Sequence, residues 1–247
     1  MIADEDNKDD TMALYVKQLL AGRDFAEFDA FASQMANFVY LVGDDEQRTC
    51  MIVDPAWDIP AILDFIDREE MRLTGALVTH YHPDHVGGEI FGHNISGLAD
   101  LLNMRPVIVH VNEIECEGVK QVTGLSDSDF QKHPGGDVVA IGDVCVRLLH
   151  TPGHTPGSQC FLVDSVLISG DTLFIGGCGR VDLPGGDPTQ MYYSLTQVLG
   201  KLPDDTLLFP GHDYAQKPTS TIAEEKRENQ YLRMRTLDDW KRLMGER

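Results

Sequence analysis

The stretch LVTHYHPDHVGG, Leu77 to Gly88, decides the reading of this chain: it sets His80, His82, Asp84 and His85 within six positions at the end of an apolar run. An irregular loop can turn alternate side chains toward different points around a cation, and imidazoles with a carboxylate are the donors a divalent metal takes. Pro83 restricts the loop, while Gly87 and Gly88 permit an abrupt exit from it. His80 and His82 can then serve one metal while Asp84 and His85 face a second. The alternative is a polar loop with accidental histidines.

Working outward, LTGALVTH before the motif predicts a buried strand, and IPAILDFIDREEM before that predicts a helix with Ile59, Ile62, Leu63, Phe65 and Ile66 on one face. NFVYLV from Asn37 and TCMIVDPA read as two strands joined by a turn in GDDEQR. Strand, helix and strand in this order imply an α/β sheet with a crossover helix. RPVIVHV, VCVRLLHTPGH, QCFLVD, SVLISGD and TLLFPGH predict further strands, and PTQMYYSLTQVLGKL a helix opening at Asp187 and Pro188. TMALYVKQLL from Thr11 has helix-like apolar spacing, and the tail from Ser220 also reads as helix.

Every motif with chemistry follows an apolar strand. His154 lies in TPGHTPGS, where two Pro-Gly pairs make a fixed loop, Asp171 follows VLISG, and His212 follows FPG. Alone, Asp171 reads equally as a turn or cap residue and His212 as a surface histidine. Together the loops hold five histidines and two carboxylates, enough for two metals, provided they converge at one edge of the sheet.

The bulk composition narrows the class. With 20 lysines and arginines against 40 acids, the formal charge is −20, which repels phosphate backbones and argues against a nucleic-acid partner. No apolar run approaches the roughly 20 residues that cross a bilayer. MIADEDNKDD is acidic where an export signal is basic, so the expected compartment is the cytoplasm, with residues 1–10 an acidic tail and 11–247 a single domain ending in a short C-terminal helix. Five cysteines without CxxC spacing suggest neither a disulfide framework nor a cysteine zinc site.

The strings THYHPDH, TPGHTPGS, SGDTLFIGGCGRVD and PGHDY, in this order from Thr79 to Tyr214, resemble the metallo-β-lactamase-fold superfamily, within it the glyoxalase II-like and persulfide dioxygenase-like branch. The resemblance implies an αββα sandwich with the metals at one edge of two facing mixed sheets. It assigns His80, His82 and His154 to one metal, Asp84, His85 and His212 to another, and Asp171 to a bridge between them. Asp54 matches a position near the metals that orients a ligand, or is a turn aspartate.

Two zinc-type ions would share a hydroxide with a pKa near neutrality and polarise a carbonyl, so no serine or cysteine nucleophile is needed. Asp84 and Asp171 then count as catalytic. The glycine-rich GGCGRVDLPGGDP resembles a segment that contacts glutathione; Arg180 would pair with a substrate carboxylate or with Asp182, and Tyr214 would touch a thiol substrate or pack. Cys178 lacks a local base and reads as structural. His93, His110, His133 and His150 read as surface or core.

The leading expectation is a metal-dependent hydrolase acting on a small molecule, a thioester of the acylglutathione type or a related acyl or lactone compound. Full-length glyoxalase II carries a larger helical C-terminal domain, for which the 35 residues after His212 are too few. The runner-up is a glutathione persulfide dioxygenase with one iron on His80, His154 and Asp171, two histidines and a carboxylate leaving positions open for substrate and oxygen. A non-catalytic metal-binding module is the alternative of another class.

Overall fold

In a computed structural model, residues 13–245 of the chain are described; the acidic tail expected over 1–10 lies outside them. Along the chain the first sheet is built from β1 (Leu14–Leu20), β2 (Phe38–Asp44), β3 (Thr49–Val53) and β4 (Arg72–Leu77), with α1 (Ala30–Met35) after β1 and α2 (Ile59–Arg68) crossing from β3 to β4. The helical turn α3 (Pro83–Val86), a small hairpin of β5 (Gly88–Ile90) and β6 (His93–Ile95), and α4 (Leu98–Met104) lead to β7 (Ile108–Asn112), α5 (Cys116–Thr123) and β8 (Phe130–His133). The strand order is β1-β2-β3-β4-β7-β8, antiparallel through β3 and parallel from there on.

The second sheet starts with β9 (Val138–Ile141), β10 (Val144–His150), β11 (Gln159–Val163) and β12 (Val166–Gly170). After a short hairpin of β13 (Leu173–Phe174) and β14 (Gly177–Cys178) and the helix α6 (Pro188–Tyr193), β15 (Leu207–Pro210) joins β12 in parallel, and β16 (Ser220–Thr221) closes the edge. The chain then forms α7 (Ile222–Glu228) and α8 (Leu237–Leu243). Among the described residues no helix is long and apolar enough to cross a membrane.

Period-two alternation puts the two sheets face to face. In β2, Phe38, Tyr40 and Val42 point between the sheets with Val146, Leu148, Phe161 and Ile168, while Val39 and Leu41 face the layer of α2, α4 and α5. On the far side, Cys160 and Leu162 of β11 pack against Met191, Leu195, Ile222 and Trp240. These three apolar layers make the expected αββα sandwich. Burial of both faces explains why β2 and β3 read as unbroken apolar runs.

Three local expectations change. The segment from Thr11 is strand where it is described: β1 pairs with β2 over its whole length, from Leu14 opposite Asp44 to Leu20 opposite Phe38. Tyr15 and Leu19, four residues apart, fit a helix, but they also fit a strand, and β2 supplies the backbone partners that decide it. The single C-terminal helix is two, separated because Asn229 leaves helical geometry and Thr236 opens α8 by accepting from Asp239 N. The loop expected through His82 to His85 contains the turn α3, with Pro83 at its first position and His82 as its cap. Gly87 then turns away at a φ of 85°, where a side chain would strike Gly97 at 2.7 Å.

Candidate metal centre

All seven ligand candidates lie in segments that follow the C-terminal ends of strands. β4 delivers His80, His82, Asp84 and His85, β10 the loop with His154, β12 Asp171, and β15 His212. β12 and β4 meet closely at this edge: Gly170 has a φ of 49°, and a Cβ there would lie 2.7 Å from the Thr79 side chain. The loops converge. Donor atoms of His80, His82 and His154 lie within 4.8 Å of one another, as do those of Asp84, His85 and His212.

Asp171 touches both groups. Its Oδ2 is 3.5 Å from His154 Nε2 and 3.4 Å from His212 Nε2, and its Oδ1 is 3.4 Å from His85 Nε2. Asp54, also near His80 and His85, has both oxygens engaged elsewhere: Oδ1 accepts from Thr79 N at 2.7 Å, and Oδ2 accepts from Thr79 Oγ1 at 2.5 Å and from His85 Nδ1 at 3.0 Å. It therefore orients its neighbours. It does so at a φ of 53°, a left-handed conformation that aspartate tolerates better than most residues.

The histidine contacts fix which nitrogen is free. His154 Nδ1 donates to the Arg180 carbonyl at 2.7 Å, His212 Nδ1 to the Met35 carbonyl at 2.8 Å, and His85 Nδ1 to Asp54. In the neutral ring each leaves Nε2 as a lone pair. His85 Nε2 and His212 Nε2 nevertheless face each other at 3.2 Å, and His154 Nε2 faces His82 Nδ1 at 2.9 Å. Between His85 and His212 two lone pairs would repel unless a proton or a cation lies between them, whereas His82 Nδ1 can carry the proton of its contact with His154. His80 Nε2 and Asp171 Oδ1 are buried without a hydrogen-bond partner. Convergent lone pairs, orphaned buried donors and carboxylates in one cleft are what a metal centre requires, so this donor set fits one.

The charge is divided between the two groups. Burial, with His85 and His82 nearby, pushes His80 well below the usual imidazole range, and burial beside His154 takes His82 down to about 4. On the other side burial works against protonation of His85, yet Asp84, Asp171 and Asp54 raise it to about 10. Burial would raise Asp171 too, but His212 and His85 hold it well below the carboxylate range. In the first group the environment disfavours charge on His80 and His82; the second is rich in carboxylate and draws positive charge.

The substrate-facing expectations divide. Arg180 is exposed and pairs with Asp182 at 2.9 Å, one of its two expected partners, while its backbone carbonyl orients His154. Tyr214 is 58% exposed and stacks on His212 with ring centroids 4.6 Å apart, edge-on to Phe174 at 5.5 Å, which sets it at the mouth of the site. Burial pushes the Cys178 thiol up to about 12, as suits a packing residue. Cys50, Cys116 and Cys160 are buried, and all five cysteines are free.

Sequence reasoning passed over Glu115. Its buried carboxylate accepts from Tyr81 N at 2.8 Å, Thr155 Oγ1 at 2.7 Å and Gly157 N at 2.7 Å, tying the loop that carries His80 and His82 to the loop that carries His154. One of three glutamates in VNEIECEG, it carries no local signal of this. The histidines outside the centre divide as well: His110 and His133 are buried with their rings stacked, while His93 is part-exposed and pairs with Asp29.

The family profile described as the metallo-beta-lactamase superfamily matches residues 33–212. The chain is 37% identical over 196 residues to the probable hydroxyacylglutathione hydrolase glo2 of Schizosaccharomyces pombe, a match covering 75% of this chain and 68% of that protein. It is 32% identical over 219 residues to the mitochondrial persulfide dioxygenase ETHE1 of Homo sapiens, covering 87% of this chain and 78% of that one. The crystal structure of ETHE1 from Myxococcus xanthus superposes with a TM-score of 0.75 at 30% identity, over 94% of this chain and 90% of its own.

Proposed function

The chain belongs to the metallo-beta-lactamase superfamily, in the branch that holds glyoxalase II-like and ETHE1-like proteins, and from that premise we propose that it is a binuclear metal-dependent hydrolase of a thioester of the acylglutathione type or a related small acyl or lactone substrate. The observation that carries this reading is the second donor group. Asp84, His85 and His212 form a complete carboxylate-rich set beside the imidazole cluster, with Asp171 in contact with both.

In this reading His80, His82 and His154 would hold one divalent cation, Asp84, His85 and His212 the other, and Asp171 would be shared. When bound, zinc-type cations supply Lewis acidity toward a carbonyl and toward water near neutral pH. The chain's own residues do the positioning. Asp54 holds His85 directly and His80 through Thr79, whose oxygen lies 3.0 Å from His80 Nδ1. Tyr214 and Phe174 wall the side of the site at His212, where the thiol portion of a substrate would lie. A thiolate leaves without a general acid, which agrees with a site that offers none beyond the ligand set.

A second reading, a persulfide dioxygenase with one iron on His80, His154 and Asp171, is favoured by the span of the similarity: 87% of the chain aligns with human ETHE1 against 75% with the yeast hydrolase. The experiment is metal analysis of protein purified anaerobically without chelator or added metal, alongside assays of thioester hydrolysis and persulfide-dependent oxygen uptake. Two zinc-type ions with hydrolysis are expected. One iron with oxygen uptake selects the second reading, and metal without turnover of either substrate class leaves a non-catalytic metal-binding module.

A further inference from the structure

Asn37 sits at the entrance to β2 and is 1% exposed. Its backbone bridges to His212: Phe38 N donates to the Gly211 carbonyl at 2.8 Å, and Asp213 N to the Ala36 carbonyl at 2.9 Å. Its side chain is oriented without ambiguity. The Trp57 indole N–H, which can only donate, lies 3.0 Å from Oδ1, so the amide oxygen faces Trp57 and Nδ2 faces the opposite way. There Nδ2 donates to Asp84 Oδ2 at 3.0 Å and lies 3.3 Å from His85 Nε2. Asp84 Oδ2 is the oxygen turned toward the other two members of the second group, 3.4 Å from His85 Nε2 and 3.5 Å from His212 Nε2.

Asn37 therefore meets all three residues of the second donor group, and no described hydrogen bond joins it to His80, His82 or His154. Those three are oriented by Thr79, the Arg180 carbonyl and each other. Trp57 is itself held under strain. Its φ of 78° is a conformation that costs a bulky residue roughly 1–3 kcal/mol. Trp57 N donates to the Ser96 carbonyl at 2.8 Å, Phe31 packs edge-on against the ring at 5.7 Å, and the indole–amide bond completes the set. A strained residue whose one polar atom orients a buried amide is a positioning device.

We propose that Trp57 and Asn37 form a relay that positions Asp84 and sets the affinity of the second metal position independently of the first. The inference rests on the binuclear reading above. Hydrogen-bonded groups behind metal ligands typically change affinity by about 10–100-fold when removed.

The test is a cobalt(II) titration of metal-free protein, followed by the visible absorption of the bound ion and by elemental analysis after dialysis, in wild type, Asn37→Ala and Trp57→Phe. Trp57→Phe keeps an aromatic ring at this position and deletes the indole donor. The expected result is two equivalents in wild type, with the second weakened about 10–100-fold in Asn37→Ala and weakened in the same direction in Trp57→Phe, the first unchanged in both. Should Asn37→Ala not fold, Trp57→Phe decides alone. A second equivalent that binds as in wild type in Trp57→Phe, or two equivalents that weaken together, overturns the relay while leaving the binuclear reading intact. A wild type that takes up one equivalent overturns the binuclear reading, and the relay with it.

Discussion

Replacing Glu115 by alanine removes the acceptor that ties the two loops of the first donor group together. Three donors lose their partner, the N–H groups of Tyr81 and Gly157 and the hydroxyl of Thr155. Hydrogen bonds to a charged group contribute about 1.5–3 kcal/mol each. The loss is offset in part because burial raises the pKa of Glu115 despite these three donors, a sign that the charge is costly to keep there. A net destabilisation of about 3–5 kcal/mol remains. For a chain of this size that lowers Tm by roughly 6–20 °C. Glu115→Gln should lose about half as much, because one oxygen still accepts from Tyr81 and Thr155 while its amide N–H meets the Gly157 N–H, donor against donor. Thermal melts followed by circular dichroism on chelator-treated protein isolate the clamp from any bound metal. An alanine variant that melts within about 2 °C of wild type, the range of an ordinary surface substitution, refutes the clamp.

Three further outcomes follow from the same geometry. Asp171→Ala should abolish turnover and reduce metal retention, since the carboxylate touches both donor groups; full activity with full metal content in that variant removes the central assignment. Arg180→Ala should leave metal content unchanged, because the atom that orients His154 is the main-chain oxygen, and loss of metal would show that the side chain matters after all. Stability should also fall with acid from pH about 6.5 toward 4: burial and the facing His133, itself paired with Asp137, depress His110 to about 4, so the unfolded chain binds this proton first. The contribution is about 1–3 kcal/mol in urea melts at pH 7.5 and 5, and His110→Gln should flatten the slope.

The convergent donor set was legible in the sequence because the side chains able to hold a metal are few in type, and because each candidate follows a strand end that the apolar pattern marks. His80, His82, Asp84 and His85 announce themselves by density, and His154 by the Pro-Gly pairs around it. Fold class followed from the same strands. What stayed hidden was of two kinds. Where apolar spacing is ambiguous, as with Tyr15 and Leu19 of β1, the decision belongs to the neighbouring strand, which local pattern does not contain. Where a side chain works through one distant contact, no spacing reports it. Asn37 meets Asp84 across 47 positions and Glu115 meets Gly157 across 42. At Arg180 the side chain takes Asp182, one of the two partners its segment suggests, while the atom that orients His154 belongs to the backbone, which side-chain pattern does not report.

The way the histidines are held says which parts of the centre substitution can reach. His154 and His212 are oriented by main-chain carbonyls of Arg180 and Met35, which any side chain at those positions leaves in place. His80 and His85 are oriented by side chains, Thr79 and Asp54, and both contacts run through one carboxylate. Asp54 therefore couples the two donor groups from behind, while Asp171 couples them from the front. Asn37 acts on the second group alone. On the binuclear reading, a change at Asp54 should alter both metal positions together, whereas a change at Asn37 should separate them. Because the Asn37 amide meets the second donor group and no described hydrogen bond joins it to the first, the second can vary without dismantling the first, which is the physical freedom needed for two chemistries, one with one metal and one with two, to share this architecture.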